Sequence, residues 1–131
     1  MKRILFVCIE NAGRSQMAEA FVNFYGKGKI SAASAGVQLA PKLNPVAVEV
    51  MKEKGIDISL NKPKMLTAQM AKNADLIITM GCGVADLCPG PALRASADWE
   101  LEDPKDKPIE EVREIRNEIE KRVRKLINET N

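Results

Sequence analysis

Short runs of strand-forming residues alternate along the chain with segments in which apolar residues recur at helical spacing. The strand-like runs cover residues 2–7, 30–35, 76–80 and 94–99. This alternation is typical of a parallel sheet whose two faces are both covered by helices. We therefore predict an α/β protein with three layers, built on a sheet of about four parallel strands.

The first and last helices are predicted from the spacing of their apolar residues. The first follows Ser15, with apolar residues at Met17, Ala20, Phe21 and Phe24. The last begins at Pro108 and carries an apolar stripe made of Val112, Ile115, Ile119, Val123 and Leu126. These stripes predict which face of each helix is buried.

Capping residues predict two helices between the second and third strand-like runs. Asn44 is a good N-cap with Pro45 at the first helical position, and Gly55 suits the C-terminal end of that helix. Thr67 caps a shorter helix that reaches about Asn73.

The composition indicates one domain without a general affinity for polyanions. A chain of 131 residues has room for a single domain, which we assign to residues 1–131. Because 20 Lys and Arg residues against 18 Asp and Glu residues give a net charge of +2, we predict neither nucleic acid nor a membrane as partner. The N-terminal apolar stretch, residues 4–9, is too short for a signal peptide or a membrane span, so we expect a cytoplasmic protein.

The cysteine and histidine counts narrow the chemistry. The chain has no histidine, which excludes a Ser-His-Asp triad, a Cys-His pair and a histidine-based zinc site. Its three cysteines fall short of a four-thiolate zinc or iron–sulfur site, and we predict no metal centre. Three thiols cannot all pair, and a chain of this length does not need a disulfide for stability. We therefore interpret them as catalytic or redox-active.

Cys8 directly follows the first strand-like run, six positions before Arg14. The segment that joins this strand to the first helix comprises Ile9, Glu10, Asn11, Ala12, Gly13, Arg14 and Ser15. Its backbone N–H groups can point inward at a tetrahedral anion, and the planar guanidinium of Arg14 matches two oxygens at once. These groups favour the thiolate form of Cys8. We predict an oxyanion pocket with a nucleophilic Cys8 at its floor; the alternative is a buried structural cysteine.

A candidate general acid lies on a short polar loop after Trp99. Ligands of open parallel sheets gather at the carboxyl ends of the strands, so this loop and Cys8 can converge there. Asp103, followed by Pro104, could protonate a leaving oxygen in the anion pocket. Asp-Pro pairs also occur in plain turns, and Asp106 and Glu102 are the local competitors for the role.

The other two thiols, Cys82 and Cys88, lie in a segment rich in glycine and proline. In a regular helix their Cα atoms would be roughly 9 Å apart along the axis. That exceeds the limit of about 7 Å for a disulfide. A bridge between them would therefore require the segment to rearrange; otherwise they are two unrelated buried thiols.

Taken together, these motifs resemble the low-molecular-weight tyrosine phosphatase superfamily, and within it the thioredoxin-coupled arsenate reductases. The superfamily's C-x5-R-S loop matches residues 8–15, and Asp103-Pro104 matches its general acid. Residues 16–19, 34–36 and 55–59 resemble the reductases. Cys82 and Cys88 correspond to the second and third redox cysteines of the reductases, with an interval one residue shorter.

The resemblance implies a disulfide cascade without a cofactor. Cys8 would attack an arsenate ion, with Asp103 protonating the departing oxygen. Cys82 would then attack Cys8 and release arsenite, and Cys88 would attack Cys82 to leave a disulfide for a thioredoxin-like reductant. Some members bind a potassium ion near the loop through an aspartate, but this chain has Lys64 there, so we do not expect that ion.

Two other functions stay open. A phosphatase that hydrolyses phosphomonoesters through a phosphocysteine needs only one thiolate, an anion pocket and an acid. A phosphocysteine carrier or thiol sensor could use a similar cysteine without catalysis, although Arg14 and Asp103 argue against it. Reducing arsenate takes two electrons, which one thiol cannot supply, so the three cysteines favour the reductase.

Overall fold

The computed structural model describes residues 2–81 and 97–130. Its sheet contains four parallel strands in the order β2-β1-β3-β4. The strands are β1 (Lys2–Cys8), β2 (Ile30–Gly36), β3 (Leu76–Thr79) and β4 (Ala97–Asp98). The parallel α/β architecture is confirmed. β4 falls inside the predicted run 94–99, whose residues 94–96 lie outside the described part of the chain.

Alternate residues of β1 feed two cores, one on each face of the sheet. Ile4 and Phe6 belong to the larger core, which α1 (Arg14–Tyr25), α2 (Pro45–Lys52) and α4 (Ile109–Glu129) cover. Leu5 and Val7 belong to a smaller core on the opposite face, against which the residues of α3 (Ala68–Asn73) pack. This alternation follows from the two-residue repeat of a strand, and it produces the three layers.

The capping predictions for α2 and α3 are confirmed. The Asn44 side chain accepts a hydrogen bond from the backbone N–H of Val46 at 2.9 Å. The Thr67 hydroxyl accepts one from Met70 at 3.1 Å. Gly55 lies in the turn after α2 with a φ of +77°, in the left-handed region that favours glycine.

The predicted stripe of α1 is wrong at one position, whereas all five residues of the predicted α4 stripe pack in or against the larger core. In α1, Met17 and Phe21 are buried but Phe24 is 47% exposed, because the helix inserts the face bearing Ala18 and Val22 between the sheet and α4. In α4, the stripe is buried as predicted up to Val123, after which Ile127 is buried and Leu126 is half-buried.

Ionic contacts join α2 to α4 in addition to their apolar contacts. Glu53, which caps the C-terminus of α2, accepts hydrogen bonds from both Arg113 and Arg116 of α4. Arg116 is buried and also donates to the Val50 carbonyl at 2.9 Å. The hydrogen bonds from Arg113 and then Arg116 lower the pKa of Glu53 from 4.5 to about 2.

None of the helices among the described residues has the length and hydropathy needed to cross a bilayer.

Candidate active site

The Cys8 sulfur lies at the carboxyl end of β1, where the buried strand turns into the loop. Cys8 is 2% exposed, and its Sγ accepts a hydrogen bond from the backbone N–H of Asn11 at 3.1 Å. The Ser15 hydroxyl oxygen lies 2.7 Å from the same sulfur. Because that oxygen already accepts a hydrogen bond from the Asn11 side chain, its own proton is available to the sulfur. The sulfur therefore has two polar partners, both supplied by the loop and the first turn of α1.

Asn11 holds the loop in shape. Its φ of +54° lies in the left-handed region, which asparagine tolerates better than most residues. Its Oδ1 accepts hydrogen bonds from the backbone N–H of Lys64 at 2.8 Å and from the Gln16 amide at 3.0 Å. Asn11, Ser15 and Gln16 are all fully buried. The sequence placed Asn11 and Ser15 in the loop, but no sequence pattern indicated that Gln16 supports it.

Arg14 is the first residue of α1, and its side chain donates hydrogen bonds to backbone carbonyls of two other segments. It is 4% exposed, and its Nη1 donates to the carbonyls of Met80 at 2.7 Å, Leu101 at 2.9 Å and Gly81 at 3.3 Å. Its Nη2 lies 3.8 Å from the Asp103 carboxylate. The guanidinium is therefore oriented by the loops that follow β3 and β4, both at the same edge of the sheet.

A pocket of about 410 Å³ opens above the sulfur. Cys8, Glu10 and Arg14 line one side, and residues 40–46 and 103–107 line the rest. The predicted oxyanion loop and the predicted acid loop thus meet around one cavity. Its volume leaves ample room for a tetrahedral oxyanion.

Asp103 stands at the edge of this pocket. It is 48% exposed; one carboxylate oxygen faces Arg14 and the other accepts a hydrogen bond from the Lys105 backbone at 3.0 Å. Its neighbour Pro104 packs directly on Gly13, where a Cβ atom would come within 2.7 Å of the proline ring. Glycine at this loop position therefore permits the close approach of the acid loop.

Of the two competitors, only one reaches the pocket. Asp106 lines the cavity together with Asp103. Glu102 does not line it, and its carboxylate lies 3.5 Å from the Lys107 ammonium. Geometry therefore leaves Asp103 and Asp106 as candidate acids, and only Asp103 also faces Arg14.

The predicted redox cysteines Cys82 and Cys88 lie outside the described residues. Gly81 is the described residue directly before Cys82 in the sequence. Gly81 has a φ of +85°, and its N–H donates to the Asp98 carboxylate at 2.7 Å. A Cβ atom at Gly81 would lie 2.6 Å from the Leu101 carbonyl oxygen, so glycine is required there.

Lys64 lies behind the loop and contacts an acidic side chain. Its ammonium group is 3.1 Å from the Glu19 carboxylate, which also accepts a hydrogen bond from the Ser34 hydroxyl at 2.7 Å. Within residues 2–81 and 97–130, no cluster of three or more His, Cys, Asp or Glu side chains is placed to hold a metal ion.

The chain matches the family model described as low molecular weight phosphotyrosine protein phosphatase over residues 3–131. The glutaredoxin arsenate reductase of Synechocystis sp. is 38% identical over 128 residues, which cover 97% of each protein. A solved structure of an arsenate reductase in the phosphate binding state has a TM-score of 0.88 at 36% identity and 100% coverage of both chains. The thioredoxin-dependent arsenate reductase of Corynebacterium glutamicum gives 0.79 at 38% identity, covering 99% of this chain and 62% of that one. The chain belongs to the low molecular weight phosphotyrosine protein phosphatase family.

Proposed function

We propose that this protein is an arsenate reductase that uses Cys8 as its nucleophile. The observation that carries the proposal is the Cys8 sulfur at the pocket floor, within hydrogen-bond distance of the Asn11 N–H and the Ser15 hydroxyl. Arg14 lines the same pocket and supplies the positive charge that an oxyanion requires. Curated relatives at 36–38% identity over most of the chain are named arsenate reductases.

In the first step, the Cys8 thiolate attacks arsenic and forms a sulfur–arsenic bond. A hydroxyl group of arsenate takes up a proton as its bond to arsenic breaks, and it leaves as water. We assign that proton to Asp103, because its carboxyl group lies at the pocket and faces Arg14.

The second step needs two electrons, and we assign them to Cys8 and Cys82. Attack of the Cys82 thiolate on the Cys8 sulfur forms a disulfide, and the electron pair of the sulfur–arsenic bond passes to arsenic, which leaves as arsenite. Cys88 then attacks Cys82, forms the Cys82–Cys88 disulfide and frees Cys8. The place of Gly81 beside Arg14 supports this assignment, since Cys82 is the next residue in the chain.

A thioredoxin-like protein is the reductant that we propose for the final disulfide. The relative from Corynebacterium glutamicum is described as thioredoxin-dependent, whereas the one from Synechocystis sp. is named for glutaredoxin. Because every turnover ends in a disulfide that must be reduced again, we place the protein in the reducing cytoplasm.

Arsenate-dependent oxidation of NADPH, coupled through thioredoxin and its reductase, tests the proposal. Wild-type protein should turn over repeatedly. Cys88→Ser should release about one arsenite per chain and stop, because the Cys8–Cys82 disulfide has no resolving thiol. Cys82→Ser should release none. Full turnover by either variant would contradict the cascade, and replacing thioredoxin with glutaredoxin and glutathione distinguishes the reductants.

A phosphatase is the second candidate, favoured by the completeness of the one-thiol site. Cys8, Arg14 and Asp103 suffice to hydrolyse a phosphomonoester through a phosphocysteine. The cysteine variants separate the two functions, because Cys82→Ser and Cys88→Ser should hydrolyse an arylphosphate at the wild-type rate. If the wild-type protein hydrolyses arylphosphates but does not reduce arsenate with any thiol reductant, the phosphatase assignment replaces the reductase.

A further inference from the structure

The oxyanion loop carries an acidic side chain at the rim of its own pocket. Glu10 lines the cavity above Cys8, and its carboxylate is 30% exposed. A negative charge at this place repels the oxyanions that the loop N–H groups and Arg14 attract. Neither the attack by Cys8 nor protonation by Asp103 requires it.

Lys105 faces Glu10 from the opposite loop. Its Nζ lies 3.6 Å from Glu10 Oε2, and it lines the same pocket. The contact continues two others between these loops, because Asp103 faces Arg14 and Pro104 packs on Gly13. The residues before Lys105 therefore place its backbone beside the oxyanion loop, while its side chain is 63% exposed.

The backbone also limits how far Glu10 can move from the pocket. Its carbonyl oxygen accepts a hydrogen bond from the Ala40 N–H at 3.3 Å, and Ala40 is itself part of the pocket wall. In the structure, both charges therefore lie beside the anion site, 3.6 Å apart. Their effects on a bound anion oppose each other, so losing either one should leave the other uncompensated.

We propose that Glu10 and Lys105 form a charge pair that sets the oxyanion affinity of the pocket, with Lys105 neutralising the carboxylate that the loop carries. The inference rests on the proposed function only in taking an oxyanion as the ligand. Removal of Lys105 should weaken anion binding, whereas removal of Glu10 should strengthen it. Opposite signs are the mark of this role, because a contact that only joins the two loops would give the same sign for both variants.

Calorimetric titration with inorganic phosphate at low ionic strength measures the effect without any turnover. Lys105→Gln should raise the Kd by about 2- to 5-fold, the range that exposed charge pairs reach, and Glu10→Gln should lower it by a similar factor. The double variant should return close to the wild-type Kd. All of these differences should shrink in 0.5 M salt, because the Debye length there is roughly half that of physiological buffer. Lys105→Arg keeps the positive charge and should have the wild-type Kd.

Two exposed residues of α4 that do not line the pocket provide controls for the change in net charge. Lys121→Gln and Glu129→Gln make the same charge changes and should leave the Kd unchanged. Equal shifts in the same direction for Glu10→Gln and Lys105→Gln, or no shift in either, would overturn the charge-pair proposal alone. Failure of the wild-type protein to bind phosphate at all would remove the proposed function as well.

Discussion

The two walls of the active-site pocket are held in place by different means. In the loop wall, residues 8–15, the side chains of Asn11 and Ser15 are fully buried and Arg14 is 4% exposed. In the acid wall, residues 100–107, Asp103 is 48% exposed and meets Arg14 at 3.8 Å, beyond hydrogen-bond distance. The loop wall is stabilised by hydrogen bonds among buried polar groups, whereas the acid wall contacts it through partly exposed side chains.

This difference in burial predicts that the loop wall serves anion binding and the acid wall serves proton transfer. A buried network keeps its donors oriented before the anion arrives, and it is costly to disturb because every group in it lacks water as a substitute partner. An exposed carboxylate exchanges protons readily with solvent, and its ion pair adds little stability. Changes to the buried residues of the loop wall should therefore alter folding or abolish the chemistry, whereas loss of the exposed carboxylate of Asp103 should mainly alter the rate.

Replacing the nucleophile should have the largest effect and leave the loop wall's binding intact. Cys8→Ser should lower arylphosphate and arsenate turnover by about 10⁵-fold or more, since a serine without a base is a far weaker nucleophile. Phosphate should still bind, because the loop N–H groups and Arg14 remain. Turnover is read by initial rates and binding by calorimetry; loss of phosphate binding in this variant would show that the sulfur itself organises the loop.

Neutralising the acid should lower the rate but not the affinity. Asp103→Asn should slow arylphosphate hydrolysis by roughly 10²- to 10⁴-fold, the usual contribution of a positioned acid, with a much smaller change in phosphate Kd. Asp106→Asn is the matched control, since Asp106 lines the same pocket without facing Arg14. A larger rate loss in the Asp106 variant than in the Asp103 variant would reverse the assignment.

Opening the polar network should destabilise the fold. Asn11→Ala should reduce the free energy of unfolding by about 2 to 4 kcal/mol, because alanine is strained at a φ of +54° and leaves buried groups without partners. Asn23→Ala removes two hydrogen bonds to Ala32 on the exposed side of α1 and should reduce it by less than about 1 kcal/mol. Urea denaturation compares them, and equal losses would mean that the loop wall is no more rigid than the surface.

The smallest effect is expected at the α2–α4 contact, away from both walls. The pKa of Glu53 is lowered from 4.5 to about 2, so its ionised form stabilises the folded state. That contribution is present above pH 4.5 and is lost as the pH falls toward 2. Glu53→Gln should lower the Tm near neutral pH by about 1 to 4 °C. The difference from wild type should narrow below pH 4.5, with the arylphosphate rate unchanged.

Glu114→Gln, an exposed carboxylate on the same helix, is the control for this comparison. Its Tm should follow the wild type at every pH. A constant offset of the Glu53 variant from pH 7 down to pH 3 would show that the ionic contacts with Arg113 and Arg116 do not stabilise the fold.

Short-range signals accounted for most elements and for the loop wall. Asn44 and Thr67 cap their helices with bonds that span two or three residues, and Cys8, Arg14 and Ser15 meet because a strand, a tight loop and a helix follow one another directly. Such contacts can be inferred from spacing alone. The buried face of α1 is predicted less well, because Phe24 fits the helical period but not the face that the neighbouring layers cover.

The α/β class, the candidate nucleophile, the candidate anion loop and the approximate place of the candidate acid can all be predicted from the amino-acid sequence, because each depends on residues close together in the chain. The contacts by which distant segments complete the candidate site become visible only in the folded chain. Gln16 and the Lys64 backbone hold Asn11, the carbonyls of Met80 and Leu101 orient Arg14, and Lys105 reaches Glu10. Most of these contacts join residues that are far apart in the sequence, by up to 95 positions. The contact of Gln16 with Asn11 is local, but the spacing of the two residues does not indicate it. The distant segments meet because parallel packing brings the carboxyl ends of the strands to one edge of the sheet.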